Sequence, residues 1–214
     1  MTTRSAVISL AGPPNSGKST LINRVVGAKV SIVTHKVQTT RTRVRGIVLH
    51  DAAQLIFVDT PGIFLSPKRR LERAMVAAAW TAVEDADFVV VLHDARKPAS
   101  DEQTALVIEG LRERQCRRVI LAINKIDEVR RESLLALAQE LAAAYPFERV
   151  FMISALTGDG VEDLVAWLAK EAPEGPWLYP EDEISDLPLR LLAAEITREK
   201  LFLHLHEELP YSLT

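Results

Sequence analysis

The sequence is short of cysteine, of aromatic side chains and of long apolar runs. One thiol, Cys116, stands among 214 residues. It cannot close an internal disulfide, which excludes a disulfide-framed scaffold and fits a reducing compartment. Aromatic residues make up 6% of the chain, and Trp80, Trp167 and Trp177 are scattered rather than interleaved with basic residues. The first two are expected in the core and the third packed under a linker. Charged residues interrupt every apolar segment before it reaches membrane-spanning length. The N-terminal run at 6–10 gives way to Gly12-Pro13-Pro14, too early for a signal-peptide core. The histidines, His35, His50, His93, His204 and His206, offer no metal-ligand set. A soluble, cytoplasmic chain is expected.

Charge of one sign is also lacking. The 26 Lys and Arg against 29 Asp and Glu imply no general affinity for polyanions. The distribution is uneven: residues 1–172 carry 23 basic and 20 acidic side chains, residues 173–214 only 3 and 9. Short apolar runs at 6–10, 55–58, 88–92, 118–123 and 150–153 read as strands, separated by helical patterns at 18–26, 70–83, 101–114, 131–144 and 161–170. Alternation of that kind predicts a mostly parallel sheet between helical layers. Residues 44–50, joined to the next run through Asp51-Ala52-Ala53, predict a hairpin and one antiparallel edge strand. The stretch 173–188 holds four of the 11 prolines and reads as a linker, and an amphipathic helix is expected over 189–209. Its apolar stripe runs through Leu192, Ile196, Phe202 and Leu203, and is expected to meet the main domain or a neighbouring molecule.

Ligands of such sheets sit beyond the carboxyl ends of the strands, so the loops after Leu10, Val58, Ile123 and Ile153 should converge. After the first strand comes Gly12-Pro13-Pro14-Asn15-Ser16-Gly17-Lys18-Ser19, the complete phosphate-loop pattern between a strand and a helix. Its backbone N–H groups suit phosphate oxygens, Lys18 the β- and γ-phosphates, and the Ser19 hydroxyl a Mg²⁺ position. Pro14, Asn15, Ser16, Gly17 and Thr20 complete the expected phosphate contacts. Asp59-Thr60-Pro61-Gly62 places a second carboxylate, Asp59, for Mg²⁺, and an N–H on Gly62 for the γ-phosphate. The segment 62–73 is then a switch that orders with the triphosphate. Asn124-Lys125-Ile126-Asp127 selects guanine: the Asp127 carboxylate accepts from the ring N–H and exocyclic amine, donors that adenine lacks there. Asn124 is expected to tie this loop to the phosphate loop, and the Lys125 stem to cover the base. Ser154-Ala155-Leu156 should offer the Ala155 N–H to the guanine oxygen. In the polar stretch between the first helix and the hairpin, Thr40 is the candidate Mg²⁺ hydroxyl, with Thr39 as the alternative.

Together these motifs predict a P-loop NTPase three-layer sandwich, with six strands, one antiparallel edge strand and a C-terminal helix. Pro14-Asn15, Gly17-Lys18-Ser19-Thr20-Leu21, Gln38-Thr39-Thr40-Arg41 and Asp59-Thr60-Pro61-Gly62 closely resemble the bacterial Era GTPases. So do Pro180-Glu181-Asp182, Glu195-Ile196, Arg198-Glu199-Lys200 and Glu208-Leu209-Pro210-Tyr211-Ser212, which resemble the lead into that family's RNA-binding KH domain. The resemblance divides the chain into a GTPase domain (1–172), a linker (173–188) and the start of a KH domain (189–214). It implies GTP or GDP as ligand, Mg²⁺ as cofactor and a role in small-subunit assembly with 16S ribosomal RNA and the 30S subunit. Partial association with the inner membrane is also implied. No G-x-x-G occurs among the nine glycines, so the KH nucleic-acid clamp is missing. A truncated chain is expected, with RNA binding assigned to the family rather than to these residues.

Ile63 follows Gly62 where Ras-like enzymes place a glutamine that orients water. Relatives of this kind are implied to use K⁺, held partly by the position of Asn15, in place of an arginine finger. The expected catalytic set is therefore Lys18, Asn15, Thr40 and Gly62. Asn15 also reads as a plain turn residue. The basic residues Lys36, Arg41, Arg43, Arg45, Lys68, Arg69 and Arg70 read first as solvated loop charges, with contact to RNA when the triphosphate orders those loops as the alternative. Three competing functions are a GTP sensor with negligible hydrolysis, a sibling GTPase of tRNA modification or ribosome assembly, and a P-loop kinase, which the guanine-reading loop argues against.

Overall fold

The computed structural model describes residues 2–33, 44–62 and 70–204. Strands β1 (Arg4–Ala11), β2 (Val44–His50), β3 (Ala53–Asp59), β4 (Phe88–Asp94), β5 (Val119–Asn124) and β6 (Arg149–Ile153) form one six-stranded sheet in the order β2-β3-β1-β4-β5-β6. Every pairing is parallel except β2 with β3, which turn back through Asp51 in the left-handed region. The helices are α1 (Lys18–Val26), α2 (Arg70–Glu84), α3 (Glu102–Glu113), α4 (Arg131–Ala144), α5 (Val161–Glu171) and α6 (Leu189–His204).

Alternation along β4 shows how the sheet is sandwiched. Phe88, Val90 and Leu92 enter one core with Leu21 and Ile22 of α1 and Leu164 and Leu168 of α5. Val89 and Val91 enter the other, with Ala79 and Val83 of α2, Leu111 of α3 and Leu141 of α4. Strands covered on both faces must be apolar throughout, which is why these runs do not alternate in sequence. Each side chain of this size buried from water contributes about 1.5–3 kcal/mol. Trp167 meets Phe88 and Phe151 edge-on, with ring centroids 6.0 Å apart in each pair.

Residues 173–188 are fastened rather than loose. The Gln54 side chain, fully buried on β3, donates to the Tyr179 carbonyl (2.8 Å) and accepts from the N–H groups of Leu178 (2.8 Å) and Tyr179 (3.0 Å). Arg45 on β2 pairs with Asp186 at 2.9 Å, so this cation belongs to the strap and is not a solvated loop charge. The Ile47 N–H donates to the Ile184 carbonyl at 3.0 Å, giving the edge strand a partner along its open side. Trp177 lies under the strap as expected, its indole N–H donating to the Ala52 carbonyl.

The last helix differs from expectation in its packing. Leu192 and Ile196 of the apolar stripe are only half-buried, whereas the charged Arg198 and Glu199 are buried. Glu199 meets donors on the main domain, Lys29 and the Val33 N–H, and Arg198 pairs with Glu195 on its own helix, because a charge is buried only where partners meet it. Positions 205–209 of the expected helix lie outside the described residues.

Candidate functional site

Parallel pairing brings the carboxyl ends of β1, β3, β4, β5 and β6 to one edge, with Leu10 opposite Asp59, Asp94 opposite Asn124 and Asn124 opposite Ile153. The phosphate loop leaves β1 and enters α1 through Gly17, whose φ of 102° is left-handed. A Cβ there would lie 2.1 Å from Asn124 Nδ2, so glycine is required both for the turn and for the approach of the guanine-reading loop. Lys18 is buried and its Nζ donates to the carbonyls of Gly12 (3.1 Å) and Pro13 (2.8 Å). Burial lowers its pKa to about 8, although the nearby Asp59 carboxylate pulls the other way. A desolvated ammonium of this kind suits an anion brought to the loop. Ser16 adds a buried hydroxyl that the described residues leave without a partner.

Two hydroxyls converge on one carboxylate oxygen: Ser19 Oγ and Ser31 Oγ each lie 2.6 Å from Asp59 Oδ2. Oxygen donors of this hardness fit Mg²⁺, which the expected pair Ser19 and Asp59 would hold together with phosphate oxygens. Ser31 was not legible as part of this cluster. Asn23 puts it there by accepting from the N–H groups of Val30 (2.9 Å) and Ser31 (2.8 Å) and donating to the Ser31 carbonyl (2.7 Å). Gly62 lies against the phosphate loop, where a Cβ would come within 2.9 Å of Pro14. Thr39, Thr40 and Ile63 lie outside the described residues.

The guanine-reading loop is joined to the phosphate loop as expected. Buried Asn124 donates through Nδ2 to the Ser16 carbonyl at 2.8 Å. Its Oδ1 accepts from the Ala155 N–H at 2.9 Å, so that N–H is engaged within the protein and not an open donor as the sequence suggested. The reason is local: with Nδ2 donating to the Ser16 carbonyl, the amide is turned so that Oδ1 faces the loop after β6. Lys125 donates from Nζ to the Asn15 carbonyl (2.7 Å), and Asp127 is exposed on the single turn that follows. Ser154 Oγ accepts from the Thr157 N–H at 3.0 Å, which closes its loop.

Two further residues around the site escaped the sequence reading. Arg24, on α1, donates to the carbonyls of Ala155 (3.3 Å) and Leu156, fastening that loop from below. Asp94 ends β4 and accepts from Lys125 Nζ at 2.7 Å. Burial pushes its carboxyl up, but hydrogen bonds from Arg96 and Lys125 outweigh that and hold it at about 2. Its place at a strand's carboxyl end was the available signal, and the loop after β4 carries no recognisable motif to draw attention to it.

Comparison with known proteins agrees with this geometry. The 50S ribosome-binding GTPase family profile matches residues 7–125. GTPase Era of Dinoroseobacter shibae is 61% identical over 99% of this chain and 69% of its own length. GTPase Era of Sinorhizobium medicae is 59% identical over 98% of this chain and 67% of its own length. Among solved structures, Era in complex with MgGDPNP and nucleotides 1506–1542 of 16S ribosomal RNA superposes with a TM-score of 0.92 at 40% identity, covering 98% of this chain and 70% of that one. An Aquifex aeolicus Era variant bound to GDP and AlF4⁻ gives a TM-score of 0.91 at 40% identity, covering 98% and 71%.

Proposed function

Because the chain belongs to the Era family of GTPases, we propose that it binds GTP with Mg²⁺ and hydrolyses it to GDP and phosphate, as a timing switch in small-subunit assembly. The observation that carries the reading is Asn124, whose single amide joins the loop bearing Lys18 to the loops bearing Asp127 and Ala155. Phosphate grip and guanine reader are thereby one rigid frame.

In this reading the N–H groups of residues 15–20 cradle the phosphates, with Pro14 alongside, and Lys18 reaches the β- and γ-phosphates. Ser19, Asp59 and Thr40 hold Mg²⁺, which would neutralise charge on the phosphate oxygens. The Gly62 N–H meets the γ-phosphate and links its presence to the switch at 62–73. Asp127 accepts from guanine, Lys125 covers its face, and residues 154–156 border its oxygen. Water attacks the γ-phosphorus in line, the bond to the β-bridging oxygen breaks, and GDP and phosphate leave. No side-chain base is assigned to that water. Instead, Asn15 would help to hold a K⁺ ion, which would supply positive charge beside the leaving oxygen.

The proposed division is a GTPase domain over 1–172, a linker over 173–188 and the beginning of a KH-type domain over 189–214. The solved relative holds a 16S ribosomal RNA segment. By that likeness the protein's partners are the small-subunit RNA and the 30S particle, with the RNA contact made chiefly outside these residues. Peripheral contact with the inner membrane is part of the same proposal; no described helix is long and apolar enough to cross a membrane.

Single-turnover GTP hydrolysis with Mg²⁺, in K⁺ against Na⁺ at equal ionic strength, tests the mechanism on wild type and Asn15→Ala. Faster cleavage in K⁺ that the substitution abolishes supports it. Equal, negligible cleavage in both salts despite tight GTP binding would remove Asn15 and favour the sensor.

A further inference from the structure

Asp94 touches neither of the sequence motifs by position, yet its carboxylate is the hub of the charges beside the guanine-reading loop. Oδ2 accepts from Lys125 Nζ (2.7 Å) and Arg96 Nη2 (2.7 Å), while Oδ1 accepts from Arg96 Nε (2.9 Å) and the Arg96 N–H (3.1 Å). Arg96 also pairs through Nη1 with Glu128 Oε2 at 2.9 Å, on the turn that carries Asp127. Lys125 spends its second contact on the Asn15 carbonyl at 2.7 Å. One carboxylate therefore reaches, through a single intermediary in each direction, the backbone of the phosphate loop and the turn of the base-reading acid.

From this geometry we infer that Asp94, braced by Arg96, is a positioning residue: it fixes the Lys125 side chain across the nucleotide pocket and so sets how slowly guanine nucleotide leaves.

The physical case rests on three observations. A lysine stem is flexible and its ammonium strongly hydrated, so left alone it spends little time in one rotamer. Here the ammonium is held by an anion and a carbonyl together, which fixes the far end of its methylene stem. Secondly, Lys125 and Asn15 both adopt left-handed backbone, with φ of 68° and 63°, and the ammonium ties one strained segment to the other. Thirdly, the Asp94 side chain is only 11% exposed and its contact with Arg96 is a two-pronged one. Ordinary surface pairs, by contrast, hold little geometry. The residue next to it is also fixed, since the Ala95 N–H donates to the Asn124 carbonyl at 2.8 Å.

The inference rests on the proposed guanine-nucleotide site, and the test separates the two. Dissociation of a fluorescent GDP analogue is followed for wild type, Asp94→Asn, Lys125→Met and the double variant. The substitution Asp94→Asn keeps shape and removes charge, and is expected to speed dissociation roughly tenfold in the wild-type background. In the Lys125→Met background it should add nothing, because the group it acts through is gone. The same acceleration in both backgrounds, or none in either, would overturn the positioning role. Failure of wild type to bind GDP would overturn the underlying site instead. Should Asp94→Asn not fold, Arg96→Gln runs the same cycle from an exposed side chain, with a smaller acceleration that must also vanish in Lys125→Met.

Discussion

Glu199, on the last described helix, accepts a hydrogen bond from the Val33 backbone N–H at 2.9 Å across 166 residues of chain, and forms an ion pair with Lys29. Val33 stands two residues beyond Ser31, whose hydroxyl lies against Asp59. The helix thus grips the chain between α1 and residue 33, on either side of Ser31. Glu199 is buried, so losing it should free α6 from the domain at a cost of about 1–3 kcal/mol. Backbone amide exchange checks this: Glu199→Ala should raise exchange across 189–204 while strands β1 and β4 keep their protection.

Lys18 carries a pH signature. Its pKa of about 8 lies below its ordinary 10.5, so folding costs most where the lysine is charged, and that cost is relieved as pH rises from about 8 toward 10.5. Nucleotide phosphate reverses the shift by favouring the charged form. GDP binding near pH 8 should therefore draw a fraction of a proton onto Lys18, and progressively less as pH falls below that. Calorimetry in buffers of differing ionisation enthalpy measures the uptake directly.

Base selection should rest on Asp127, exposed at the tip of its turn. Asp127→Asn replaces an acceptor for the ring N–H and amine with a group that donates. GDP affinity is expected to fall by roughly 10²–10³-fold. Xanthosine diphosphate, which presents a carbonyl in place of the amine, should bind the variant better than GDP does, as competition against a fluorescent nucleotide would show.

Gln54 gives a structural prediction independent of nucleotide. Three hydrogen bonds from one buried amide hold the strap at residues 178–179, and Gln54→Leu leaves those backbone groups unmet. A loss of about 1–3 kcal/mol is expected. Limited proteolysis should then cut the variant between residues 173 and 188 faster than wild type.

How much of this was legible in sequence follows from where each signal is local. The sheet was legible because burial on both faces forces whole strands to be apolar, and the site because glycines and the Lys18 and Asn124 motifs must stand at strand ends. Asp94, Arg24 and Ser31 were not, since each acts through a partner distant in sequence: Lys125, Leu156 and Asp59 respectively. The docking of α6 was misread for a related reason. Its stripe of apolar residues suggested a greasy contact, while the buried face turned out to carry Glu199, whose donors sit far along the chain. The bond from the Ala155 N–H to Asn124 was hidden for the same reason, since Ser16 decides how that amide is turned.

Phosphate release is the most direct consequence of this chemistry. Purified protein with Mg²⁺ should release phosphate from GTP and at least about 10²-fold less from ATP, since adenine leaves Asp127 unpaired. Lys18→Ala or removal of Mg²⁺ should abolish the release. Intact GTP recovered after prolonged incubation with folded, nucleotide-bound wild type, or equal cleavage of ATP, would contradict it.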